Sequence, residues 1–68
     1  MLCVYVLVND GDLWEDMVII LSEEDAIKES IQHPNWRVEV FCRMNGINKT
    51  KFIPTYNYYK NGEYIQAP

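Results

Sequence analysis

The sequence predicts an α+β domain: a four-stranded, mostly antiparallel sheet in ββαββ order, two hairpins joined by one helix packed on one face. Three observations carry this. "LCVYVLV" at residues 2–8 is an apolar run rich in β-branched residues. Ser22 to Pro34 has the start, periodicity and stop of a short helix. "WRVEVFCR" at 36–43 alternates along its length. At 68 residues the chain is a single domain, 1–68, with no room for a second. A domain of this size buries only about 60% of the surface its unfolded chain exposes, so it gains from any partner that covers more.

The first strand places Leu2, Val4, Val6 and Val8 on one side and Cys3, Tyr5 and Leu7 on the other. Asp10-Gly11 follows it as a hairpin signal, because glycine supplies the positive φ such turns need. The return strand falls within "LWEDMVIIL", where Glu15–Asp16 interrupts the apolar pattern and puts its regular part near Met17 onward. Ser22 then caps a helix whose first turn, Glu23, Glu24 and Asp25, sets negative charge at the positive end of the helix dipole. Leu21 and Ala26 stand at the positions of a hydrophobic staple. Ala26, Ile27, Ser30 and Ile31 share the inward face, and His33-Pro34 stops the helix after about three turns, since the residue before proline is pushed out of helical geometry.

The third strand sends Trp36, Val38, Val40 and Cys42 one way and Arg37, Glu39, Phe41 and Arg43 the other. Asn45-Gly46 predicts the next turn, alone or within a longer loop. "KFIPTYNYYK" makes the fourth strand, with Phe52, Tyr56 and Tyr58 in one row and Ile53, Thr55, Asn57 and Tyr59 in the other. Pro54 cannot donate to a ladder, so this strand is expected at an edge or with a bulge. Asn61-Gly62 turns the chain again toward a short tail, "EYIQ". One helix covers one sheet face, yet the first two strands are apolar on both. A second copy is the simplest cover, and a homodimer is expected with Val4, Val6, Val8 and Tyr5 among its contacts.

The formal net charge of −4 is unevenly spread. Residues 1–36 carry eight acids against Lys28 and are net −7; residues 37–68 carry Arg37, Arg43, Lys49, Lys51 and Lys60 against Glu39 and Glu63 and are net +3. This polarity favours self-association or a charged partner. Cys3 and Cys42 are too few for a disulfide scaffold and lie in strand-like runs. They read as reduced core residues of a cytoplasmic-type, non-secreted protein. Residues 2–8 are too short for a signal core or a membrane span, so the "NKT" at Asn48–Thr50 reads as a chance match to the glycosylation acceptor pattern.

Candidate chemistry is sparse. Asp10, Asp12, Glu15 and Asp16 lack the spacing of a calcium loop, with Gly11 between the first two acids. They read as a solvated hairpin tip, with a low-affinity cation site as the sharper alternative. His33, the only histidine, has no nucleophile or orienting group indicated around it, and a zinc site with Cys3 and Cys42 lacks paired ligand spacing. No cofactor, metal or catalytic residue is assigned. The strongest candidate is the aromatic stretch 51–64: Phe52, Ile53, Tyr56, Tyr58 and Tyr59, flanked by Lys51 and Lys60, form an expected interaction surface. The same tyrosines and lysines contain the ingredients of a stacking platform for single-stranded nucleic acid, which the acidic net charge disfavours.

"LSEEDAIKESIQHPNWRVEVF", with "KFIPTY" and "YYKNG" after it, resembles small proteins encoded by large DNA viruses of amoebae, marseillevirus-like ones in particular, over most of residues 21–62. The resemblance implies a viral protein, packaged in the virion or acting on the host early in infection. It carries over no catalytic or binding residue, and the acidic charge departs from a virion DNA-packaging protein. The expected function is a small non-enzymatic protein–protein interaction or structural protein acting as a homodimer; the alternative is a single-stranded nucleic-acid-binding module.

Overall fold

The computed structural model describes residues 2–9 and 17–68. They form an α+β fold with strands β1 (Cys3–Val8) and β2 (Val18–Ile20), helix α1 (Glu23–Gln32), and strands β3 (Arg37–Gly46), β4 (Lys49–Lys60) and β5 (Glu63–Ile65). The sheet is antiparallel throughout, in the order β2-β1-β3-β4-β5. It has five strands, not the expected four. The tail "EYIQ" supplies the fifth, because Asn61 (φ 50°) and Gly62 (φ 83°) make the tight turn that folds Glu63–Ile65 back onto Tyr58–Lys60. The order is not that of two separate hairpins either: β1 lies between β2 and β3, so the helix connects an edge strand to an inner one. The acidic segment Asp10–Asp16 with its turn lies outside the described residues.

The helix forms where its caps require. Ser22 Oγ accepts the Asp25 N–H at 3.2 Å, and the His33 N–H closes the last turn on the Glu29 carbonyl at 3.0 Å. Ala26 and Ser30 are fully buried against the sheet and Ile27 is half-buried. Ile31, expected on the same face, is largely exposed at its margin. The core lies between helix and sheet: Tyr5, Leu7, Ile20, Ala26, Val38, Val40 and Tyr59, with Cys3, Ile27 and Trp36 packed against it. The alternation expected of β1 and β3 is therefore obeyed, with odd positions of β1 facing even positions of β3 under the helix. Ser30 ties the layers together, donating to the Ile27 carbonyl at 2.7 Å and accepting from the Gly62 N–H at 2.9 Å.

One turn and the hydrophobic staple differ from expectation. The β3–β4 turn falls on Ile47-Asn48, two residues after the Asn45-Gly46 signal, with Asn48 taking φ 64°. Asparagine tolerates that left-handed geometry, and the shift keeps Asn45 opposite Thr50 within the ladder. Leu21 does not staple Ala26; it lines the opposite side of the sheet.

Pro54 sits in a bulge, as its missing N–H demands. Glu39 pairs with Tyr58 and Phe41 with Pro54, so Val40 faces the three residues Thr55, Tyr56 and Asn57. The Thr55 hydroxyl fills the break, donating to the Val40 carbonyl at 2.8 Å and accepting the Asn57 N–H at 3.1 Å, while Tyr56 takes φ 68°. Strand β4 is not an edge along its whole length: β5 pairs with Tyr58–Lys60 only, which leaves the segment around Pro54 without a strand on its far side among the described residues.

Candidate interaction surface

The sheet face opposite the helix carries the candidate site. Register alone assigns its residues, because directly paired positions share a face. Val4 pairs with Phe41, Val6 with Glu39 and Ile19, Val8 with Arg37, Arg43 with Phe52, and Glu39 with Tyr58. Val4, Val6, Ile19, Leu21, Phe41 and Phe52 line an open groove of about 470 Å³. Val4 and Val6 form its floor and are largely buried; Ile19 (52% exposed), Leu21 (77%) and Phe52 (42%) form its rim. No lining side chain is titratable. At one side the Arg37 guanidinium meets the Glu39 carboxylate at 2.6 Å, both partly buried, so that pair is locally neutral; Arg43, opposite Phe52, adds an exposed cation to the face.

The groove runs toward a hairpin arm. Beyond Cys42 and Ile53, strands β3 and β4 continue with no third strand beside them among the described residues, and every residue from Arg43 to Ile53 is exposed. Met44, Ile47, Phe52 and Ile53 are apolar members of the arm, and Ile47 at its tip is 90% exposed.

The expected surface residues separate onto different faces. Phe52 and Tyr58 lie on the open face, and Ile53 lies on the helix side of the arm, so those two rows are as the alternation implies. Tyr56 projects from the bulge and is exposed, as are Lys51 and Lys60. Tyr59 is not on the surface: it is in the core, 5.1 Å from the Tyr64 ring and 6.3 Å from the Tyr5 ring between centroids. Burial, and then a hydrogen bond to Glu23, push its phenol up to about 12. Tyr5, expected among the dimer contacts, is also in the helix-side core, because its position is odd where Val4, Val6 and Val8 are even. Its phenol is likewise raised, chiefly by burial. The tyrosines do not converge on a single exposed platform.

A second depression opens on the helix side beyond the helix N-terminus. It measures about 440 Å³ and is lined by the Cys3–Cys42 pair, Glu23, Thr55, Asn57 and Tyr64, among others. Asn57 orders its rim, donating to the Tyr64 hydroxyl at 2.8 Å and accepting the Ala67 N–H at 2.9 Å. His33 lies elsewhere, stacked on Trp36 at 4.3 Å with Nε2 3.5 Å from the Glu29 carboxylate, so its surroundings are those of a helix end. Among the described residues, no three His, Cys, Asp or Glu side chains converge as a metal site would need, and no helix is long and apolar enough to cross a membrane.

No family model, curated protein or solved structure matches this chain.

Proposed function

We propose that this protein is a non-enzymatic interaction module that works as a homodimer, two copies meeting through their open sheet faces. The observation that carries the proposal is the apolar groove of Val4, Val6, Ile19, Leu21, Phe41 and Phe52 on the face the helix leaves uncovered. An apolar face of this kind is a liability on a monomer. A second copy suits it in three ways. The molecule is 38 Å along its longest axis, long enough to carry the roughly 800 Å² per partner of a standard interface. The face carries a cation and anion side by side, Arg37 and Glu39, with Arg43 as a single further exposed cation toward the arm, while the helix acids lie on the other side of the sheet, so two identical faces bring few like charges together. The two-stranded arm would also gain the packing partner that a hairpin alone lacks.

The non-enzymatic part of the reading rests on that groove, whose lining offers no acid, base or nucleophile. The resemblance of residues 21–62 to small proteins of amoeba-infecting DNA viruses agrees with a structural or partner-binding role, and it stands on sequence alone. Sedimentation velocity tests the proposal. Wild-type protein should sediment as a dimer, while Ile19→Glu and Phe52→Glu, both at exposed positions, should give folded monomers with unchanged far-UV circular dichroism. A wild-type monomer at all concentrations, or dimers that survive both substitutions, would overturn it.

A further inference from the structure

Cys3 and Cys42 are 39 residues apart in sequence and directly opposite in the β1–β3 ladder, with their sulfurs 3.1 Å apart. The Arg43 N–H donates to the Leu2 carbonyl at 2.9 Å, which makes Leu2–Arg43 a hydrogen-bonded pair. The next pair, Cys3–Cys42, is therefore of the non-hydrogen-bonded kind, in which the Cα atoms approach to about 4.5 Å. That separation falls within the roughly 4.4–6.8 Å range spanned by disulfides. Both thiols are free, both are half-buried, and both line the depression beyond the helix N-terminus, so a small reagent reaches them without unfolding the sheet. Neither has a role in the dimer reading, which uses the other face.

We infer that Cys3 and Cys42 form a reversible dithiol–disulfide couple, a cross-strand bond between β1 and β3 made and broken by exchange with a low-molecular-weight disulfide such as oxidised glutathione. One protein thiol, deprotonated, attacks a sulfur of the glutathione disulfide and expels one glutathione thiolate, leaving a protein–glutathione mixed disulfide. The facing cysteine, also deprotonated, attacks the protein sulfur of that intermediate and expels the second glutathione. The protein loses two electrons and two protons; the small disulfide gains both and becomes two thiols. The Cys42 sulfur beside Cys3, together with burial, raises the Cys3 thiol above its ordinary value, so the exchange is run at mildly alkaline pH where thiolate is present. The bond would join two inner strands of the sheet and close the floor of the depression.

Intact-mass spectrometry of the native protein incubated with oxidised glutathione decides the matter. Wild type should lose the mass of two hydrogens, retain no glutathione, yield one cross-linked peptide pair containing residues 3 and 42, and revert with dithiothreitol. Cys42→Ser and Cys3→Ser should each stop at one retained glutathione, because the resolving thiol is gone. Wild-type chains that retain two glutathiones, become linked to one another, or keep both thiols free would overturn the inference.

Discussion

Replacing Ser30 by alanine removes a polar link between the helix and the β4–β5 turn. Ser30 is 0% exposed, and its hydroxyl makes two hydrogen bonds, to the Ile27 carbonyl and from the Gly62 N–H. The first is a local bond on the helix, and its loss costs little, since alanine is the better helix former. The second is the larger effect. The Gly62 N–H loses the acceptor it bonds, and an unsatisfied buried donor costs about 1–3 kcal/mol. Gly62 is only half-buried, so water relieves part of this and the expected loss is about 1–2 kcal/mol. For a domain of this size that lowers Tm by roughly 4–16 °C, at about 4–8 °C per kcal/mol. Urea unfolding followed by circular dichroism should show a lower midpoint with an unchanged slope. Amide exchange should show Gly62 losing protection first. Ser30→Ala melting within a degree of wild type would refute the view that this hydroxyl holds the layers in place.

Three further outcomes follow from the same geometry. Gly62→Ala should cost about 1–2 kcal/mol, because φ +83° is unfavourable for any side chain; the added Cβ, 3.1 Å from Ile31 Cγ1, contributes less, since exposed Ile31 can move. Thr55→Val keeps the shape but loses both bulge bonds, and it should destabilise by about 1–2 kcal/mol, with the largest amide shifts at residues 54–58. For Tyr59 the folded state holds the phenolic proton more tightly than the unfolded chain, with the value raised from 10.0 to about 12. Its contribution is therefore fully present below pH 10 and lost as pH rises from 10 to 12; Tyr59→Phe should show a shallower loss of stability across that window in pH-dependent denaturation.

Local signals in the chain were sufficient wherever one residue type had one job. Ser22 and His33-Pro34 bound the helix, the alternation from Trp36 to Cys42 assigns the faces of β3, and Asn61-Gly62 turns the chain. Where two signals competed, the sequence misled. Asn45-Gly46 is the stronger turn dipeptide, yet the ladder extends past it and Asn48 takes the left-handed position instead. The fifth strand is three residues long, too short for its periodicity to show, and only pairing with Tyr58–Lys60 defines it. Parity placed Val4, Val6 and Val8 together but did not say that Tyr5 and Tyr59 would fill the helix-side core. The groove and the Cys3–Cys42 juxtaposition both depend on register across strands distant in sequence, which no local pattern carries.

The central claim is that two copies cover each other's open sheet faces, and isotope-filtered NOE spectroscopy on a mixture of labelled and unlabelled chains tests it directly. Intermolecular cross-peaks should connect the methyl groups of Val4, Val6, Ile19 and Leu21 with the rings of Phe41 and Phe52. Cross-peaks confined to the helix face, or none at all, would contradict it.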